Sequence, residues 1–370
     1  MKRIILLSTM IVATLLSVNA QRRMQVWEGN TYMQFFTTDV DSVTFLSFPD
    51  GILQECKEIH DTIFKTVTVH DTITQTIRDT ITTIIKDTIY IQYCPDTINA
   101  SDTLTGVFSV SATKQVRFSH GNLQYTQSTQ TWSFAEHQYD FIGTDNVDGG
   151  TEQIDSVYGD YYKNGNILAD KIDLFGWSGS IGSAKWGVST STDVSDYSGD
   201  FVDWGTNIIG TDAPNTWRTL ASDEWHYLRC SRANADDLVG VARINLNADG
   251  TEYANGLILL PDTWTCPEGV TFKSGFSDTY NVQAYADYQT FTLTDWQKLE
   301  AAGAVFLPAS GSRYRSYVTI VQYDGYYWSA TPYDSFSAGC LYFNSHEAYT
   351  YDGYNTRRNG QAVRLVQDLK

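Results

Sequence analysis

Apolar and polar positions change their rhythm several times along this chain. Ile4 to Val18 form one apolar stretch behind Lys2 and Arg3, and Val18-Asn19-Ala20 follows as a small-residue site. That layout predicts a cleaved secretory signal over residues 1–20, too short for a comfortable membrane span. Met24–Trp27 and Thr31–Phe36 then alternate around Gly29-Asn30, which predicts a hairpin. Asp41–Phe45 reads as a further strand, and residues 21–55 as a small β module.

Residues 56–104 are repetitive. DTITQTIR, DTITTIIK and DTIYIQYC follow one another from Asp71 to Cys94, with HDTIFKTVTV upstream. Ile63, Val67, Val69, Ile73, Ile77, Ile81, Ile85, Ile89 and Ile91 fall on odd positions, with Thr on most even ones. β-Branched alternation predicts an extended stalk, because Thr-Ile-Thr runs make poor helix. An isolated ribbon leaves its edges unpaired, so the stalk calls for a neighbouring strand or a second copy, a route to a homo-oligomer.

From 105 to 370 the pattern is globular. Val107–Val110, Gln115–Phe118 and Trp132–Phe134 read as strands, and 143–215 as long Gly/Asp/Ser/Asn loops pinned by Trp177, Trp186, Phe201 and Trp204. Two helices are predicted. Ser222 caps one, with Trp225 and Leu228 facing inward, and Thr294 with Gln297 boxes a second that Gly303 stops. Each precedes an apolar strand, Gly256–Pro261 and Ala304–Pro308. The fold class is α+β.

Composition adds an acidic balance. Removing Lys2 and Arg3 with the signal leaves 23 basic against 43 acidic residues, which disfavours nucleic acid and anionic membranes and suits solubility outside the cell. Export permits disulfides among Cys56, Cys94, Cys230, Cys266 and Cys340, and the odd count leaves one over. Cys56 and Cys94 bracket the repeat, as a staple or a crosslink. No Cys follows the cleavage site, which argues against lipidation.

Chemistry is sparse. The six His residues make no metal-protease frame and no C-x-x-C exists. Asn245-x-Asn247-x-Asp249-Gly250 begins like a calcium loop, but its twelfth position is Gly256, so it reads as a turn. No cofactor and no metal are expected. Trp225, Trp296 and Trp328 read as core, and Arg364 as the partner of a carboxylate.

The block from Gly325 to Val366 carries most of the function. Strand-like Cys340–Phe343 and Ala362–Val366 frame a filling of Tyr, Ser, Asp, Asn, Gly and Thr, the composition of binding surfaces. WRTLASDEWHYL (217–228), GLILLPDTW (256–264), LEAAGAVFLPASGSR (299–313), GYYWSATP (325–332) and NGQAVRLV (359–366) together resemble the exported bacterial family with a C-type-lectin-like fold, related to the FISUMP-type major paralogous domain. Within it, the last block is similar to the variable region of diversity-generating retroelement target proteins, where adenine-directed mutagenesis rewrites chosen codons. The resemblance implies a frame of Trp328, Ser329, Leu341, Phe343, Gly360, Val363, Arg364 and Leu365. It implies a ligand-facing set of Tyr333, Ser335, Phe336, Ser337, Gly339, Tyr342, His346, Tyr349, Tyr351, Tyr354, Asn355 and Arg358. The calcium-bridging Glu-Pro-Asn and Trp-Asn-Asp signatures of sugar-binding lectins are missing, as are the paired cysteines of formylglycine-generating enzymes. The recurring Asp-Thr-aliphatic triplet resembles the O-glycosylation acceptor of some Gram-negative anaerobes, at Thr62, Thr72, Thr80, Thr88, Thr97 and Thr103.

The reading is therefore a non-enzymatic binder of a protein or glycan at the cell surface, residing in the periplasm, on the outer membrane or outside the cell. The alternative is a structural envelope component whose head serves assembly. The binding reading expects Tyr349, Tyr351 and Tyr354 to be exposed together.

Overall fold

Among the described residues of the first hundred, Gln21–Glu28 and Thr31–Phe36 pair as the alternation around Gly29-Asn30 predicts. The computed structural model describes residues 103–149, 151–153 and 168–369, together with strands Ala13–Val18, Gln21–Glu28, Thr31–Phe36, Ser42–Phe45 and Val67–His70. Of those five strands, of 151–153 and of 351–354 only the backbone is described. Glu28 faces Thr31 in an antiparallel pair, the register that a two-residue connection imposes. Ala13–Val18, within the segment read as a signal, pairs with Gln21–Glu28. Ser42–Phe45 pairs with Val67–His70, with Val43 opposite Val69. The remaining repeat, with Cys56, Cys94, Thr62, Thr72, Thr80, Thr88 and Thr97, lies outside the described residues.

The chain divides into two units, residues 1–100 and 101–370. Thr103 and Leu104, expected at the end of the stalk, are part of the second. Leu104 N–H donates to Phe118 O at 2.9 Å and its side chain is buried. The Thr103 hydroxyl, half-buried, donates to Gln367 Oε1 at 2.9 Å.

This second unit is α+β. An early strand pairs with the last one: Gln115–Phe118 lies between Phe108–Ser109 and Leu365–Asp368, and Arg218–Thr219 completes the sheet. Helix α1 (Ser222–His226) runs into a π turn, Tyr227–Ser231. It starts after Ala221, not with Ser222 as cap. Glu224 Oε2 accepts the Ala221 N–H at 2.9 Å, and the Ser222 hydroxyl is used elsewhere, 2.9 Å from Ser329 Oγ.

A central sheet follows, built from β1 (Val239–Asn245), β2 (Tyr253–Leu259), β3 (Thr290–Thr292) and β4 (Val305–Pro308) in the order β3-β1-β2-β4. Asp249 sits in the β1–β2 turn, where its carboxylate accepts Thr251 N–H at 3.0 Å and Oγ–H at 2.6 Å. The chain carries three α-helices among the described residues, not two. The unexpected one, α2 (Val282–Tyr288), is capped by Asn281, whose Oδ1 accepts Ala284 N–H at 2.8 Å. Helix α3 (Leu293–Ala301) is capped by Thr292, two residues before Thr294; Thr292 Oγ1 accepts Asp295 N–H at 3.1 Å. The chain leaves α3 through Gly303 at φ +95°, a left-handed stop that disfavours any other residue.

The C-terminal meander consists of β5 (Gly325–Pro332), β6 (Ser337–Phe343) and β7 (Ala348–Thr356) in sequential antiparallel order. Strands β5 and β6 bury side chains on both faces. Tyr327, Leu341 and Phe343 enter one apolar cluster with Trp225 and Leu257. Trp328, Cys340 and Tyr342 enter another with Trp132, Trp177 and Trp204. The long loops are fastened there through indole N–H groups. Trp177 Nε1 donates to Ser329 O at 2.9 Å, and Trp328 Nε1 to Phe175 O at 2.6 Å. These bonds let large aromatic bodies be buried with their one polar atom satisfied.

Arg364 corrects an expectation. It is fully buried and has no carboxylate partner among the described residues. Its guanidinium donates to Gln138 Oε1 (2.7 Å), His120 O (3.2 Å) and Asn122 Oδ1 (3.3 Å). Gln138 Nε2 passes the polarity on to Glu300 Oε1 at 2.8 Å. Burial pushes the guanidinium down to about 10.

Candidate functional site

The expected ligand-facing residues fall into three groups, set by the direction of the meander strands. Strand β6 rises ~3.3 Å per residue, so its two ends lie roughly 20 Å apart.

One end is the turn between β5 and β6. Asp334 Oδ1 accepts the N–H groups of Phe336 (2.8 Å) and Ser337 (2.7 Å), an Asx-type turn that holds its carboxyl below the usual range. Arg357 clamps the same turn. Its guanidinium donates to the carbonyls of Asp334, Ser337 (3.2 Å) and Tyr197 (3.1 Å), and it stacks 4.0 Å above Trp177. On this fixed turn Tyr333 is 62% exposed and Phe336 60% exposed. Ser335 is exposed and Ser337 half-buried.

Beside the turn lies an open groove of about 520 Å³ against α1, with Asp223, His226, Thr331 and Tyr333 on its walls. Ser222 N–H donates to Thr331 Oγ1 at 3.0 Å, and His226 Nδ1 lies 3.4 Å from Thr350 Oγ1. Gly339 contributes to its lining as backbone. A Cβ there would lie 1.9 Å from Ser222 Oγ, so any side chain at this expected variable contact would force Ser222 to shift.

The opposite end is a tyrosine cluster. Tyr326, Tyr342 and Tyr349 lie side by side across β5, β6 and β7, with ring centroids 4.9 and 5.1 Å apart. Beneath them Asp324 is buried. Its carboxylate accepts the hydroxyls of Tyr280 (3.0 Å), Tyr326 (3.4 Å) and Tyr342 (3.4 Å). Burial outweighs those bonds and pushes Asp324 up to about 6. The Tyr280, Tyr326 and Tyr342 hydroxyls are also pushed up, first by burial and then by Asp324's charge. His346 is exposed on the β6–β7 turn, its Nδ1 2.8 Å from Ser277 O.

The third group is interior. Tyr342 is 8% exposed, as is Asn355, which corrects both as open ligand contacts. Asn355 bridges strands instead: Nδ2 donates to Cys340 Sγ at 2.9 Å, and Oδ1 accepts from Gln361 Nε2 at 2.9 Å. Arg358 is half-buried; it donates to Thr192 O at 3.0 Å and lies over the Tyr314 ring. Tyr349 is half-buried, and the side chains of Tyr351 and Tyr354 lie outside the described residues.

Sequence reasoning missed Asp324, Tyr280 and Tyr326 as one unit. The only signal was Asp324 abutting the Tyr-rich block; Tyr280 arrives from a loop 44 residues earlier. Among the described residues Cys230 and Cys266 form no disulfide. Among the described residues no group of three or more His, Cys, Asp or Glu is placed to hold a metal, and no helix is long and apolar enough to cross a membrane.

A family described as a domain of unknown function, DUF8237, matches residues 287–366, from the end of α2 through the whole meander. No curated protein and no solved structure matches the chain.

Proposed function

We propose that this chain is an exported, non-enzymatic binding protein with a C-type-lectin-like head, whose C-terminal Tyr/Ser-rich face takes a protein or glycan ligand and is diversified by a retroelement. One observation carries the binding reading: Tyr333 and Phe336 stand exposed on a turn that Asp334 and Arg357 hold rigid. Large exposed aromatics on a pre-organised turn lose little entropy on contact and serve as anchors. The burial of Gly339 and Asn355 narrows the contact set to the turn and its neighbours.

The test is binding of the purified chain to immobilised glycans and to intact bacterial and host cells, for wild type and Tyr333→Ala/Phe336→Ala. A tenfold or greater loss in the double variant supports the reading; unchanged binding sinks it. Diversification is tested separately, by sequencing the gene and its flanks from several isolates. A near-copy of the 325–366 coding segment, differing only at adenines and adjacent to a reverse transcriptase, supports it. Codons for Tyr333, Ser335 and Phe336 that never vary between isolates refute it.

A further inference from the structure

We propose that the groove between α1 and the β5–β6 turn is a metal-free site for an uncharged pyranose, the terminal ring of a neutral glycan. This rests on the ligand-binding reading and assigns its recognition pocket and ligand class.

The volume, about 520 Å³, lies in the range of small-ligand sites and leaves room for a sugar ring with part of its neighbour. The lining is mixed in the way a pyranose needs. Tyr333 supplies an aromatic face, whose negative π surface attracts the polarised C–H groups of a sugar ring. Asp223 and His226 line the wall formed by α1. One Asp223 oxygen already accepts Glu224 N–H at 3.0 Å, and the His226 Nδ1 sits near Thr350. The second carboxylate oxygen and the other imidazole nitrogen remain to meet hydroxyls, each of which both donates and accepts.

Charge selects against the rivals. Among the described lining residues none is Lys or Arg, and Asp223 repels phosphate, sulfate and acidic sugars. The site is also pre-organised. Ser222 is held by Ser329 Oγ at 2.9 Å and by Thr331 Oγ1 at 3.0 Å, and Gly339 leaves no side chain in the way.

The experiment is saturation-transfer NMR on the full chain, with the methyl glycosides of glucose, galactose, mannose and N-acetylglucosamine as probes, and glucuronate as the charged control. Expected is transfer to ring protons of at least one neutral glycoside, retained in EDTA, lost in Tyr333→Ala and weakened at least tenfold in Asp223→Asn. Thermal melts confirm that both variants fold. No transfer from any neutral glycoside, transfer abolished by EDTA, or transfer indifferent to both substitutions would each overturn the assignment. If the glycosides fail while cell-surface binding still depends on Tyr333 and Phe336, only the sugar assignment falls. If that dependence is also absent, both readings fall.

Discussion

The hydroxyl of Tyr280 donates to Asp324 Oδ1 at 3.0 Å, joining a loop ahead of α2 to the start of the C-terminal meander. Tyr326 and Tyr342 complete a ring of phenol donors around the same buried carboxylate. The hydroxyls favour the charged form, yet desolvation dominates.

The first expectation is a pH effect with an unusual sign. Asp324 rises from 3.8 to about 6 on folding, so between those values the folded chain holds a proton that the unfolded chain has released. Its contribution to stability is therefore greatest below the unfolded value, declines as pH rises, and levels off above about 6. The full span is on the order of 3 kcal/mol. Buried Asp173 is raised to about 6 and acts in the same direction. Melting temperature should rise between pH 7 and 5, and Asp324→Asn should remove part of that rise. An identical slope in wild type and variant, by scanning calorimetry, would refute the role of Asp324.

Gly339→Ala places a methyl group 1.9 Å from Ser222 Oγ and 2.9 Å from Ser329 Oγ. Overpacking of this kind costs about 1–3 kcal/mol. Ser222→Ala in the same chain removes the nearest atom and should recover part of the loss. Urea denaturation of the single and double variants measures both; additive losses would show that the Ser222 contact is not the cause.

Arg364→Met leaves the Gln138, Asn122 and His120 acceptors without their charged donor. Stranded buried acceptors predict a loss of about 2–3 kcal/mol. Because Gln138 also binds Glu300, Arg364→Met and Gln138→Ala should be non-additive in a double-mutant cycle. A coupling energy near zero would contradict the relay.

Arg357→Lys keeps the charge but loses the planar fork that spans the Asp334, Ser337 and Tyr197 carbonyls and stacks on Trp177. The Tyr333–Phe336 turn should loosen, with a stability loss of about 1–2 kcal/mol and weaker ligand binding. Unchanged amide-exchange protection at Phe336 and Ser337 would show that Asp334 alone holds the turn.

Local signals were legible wherever one residue type dominates its own neighbourhood. Alternation and Gly29-Asn30 marked the hairpin, Gly303 marked the end of α3, and Trp225, Trp296 and Trp328 read as core and are buried. The α+β class followed from those elements alone. Periodicity reports which residues share a face of one element, but not which elements meet. Whether Ser222 caps its helix or bonds Ser329, whether Arg364 finds a carboxylate or an amide, and whether Gly339 has room for a side chain all depend on a partner more than one hundred residues away in the chain or on the opposite strand. The same holds for the binding face. Composition identified the Tyr-rich block, but the pairing of β5, β6 and β7 decided that Tyr333 and Phe336 stand in solvent, that Tyr342 and Asn355 turn inward, and that Asp324 lies beneath three tyrosines. A strand can be read from its own residues; what covers it is settled only when the rest of the chain is packed around it.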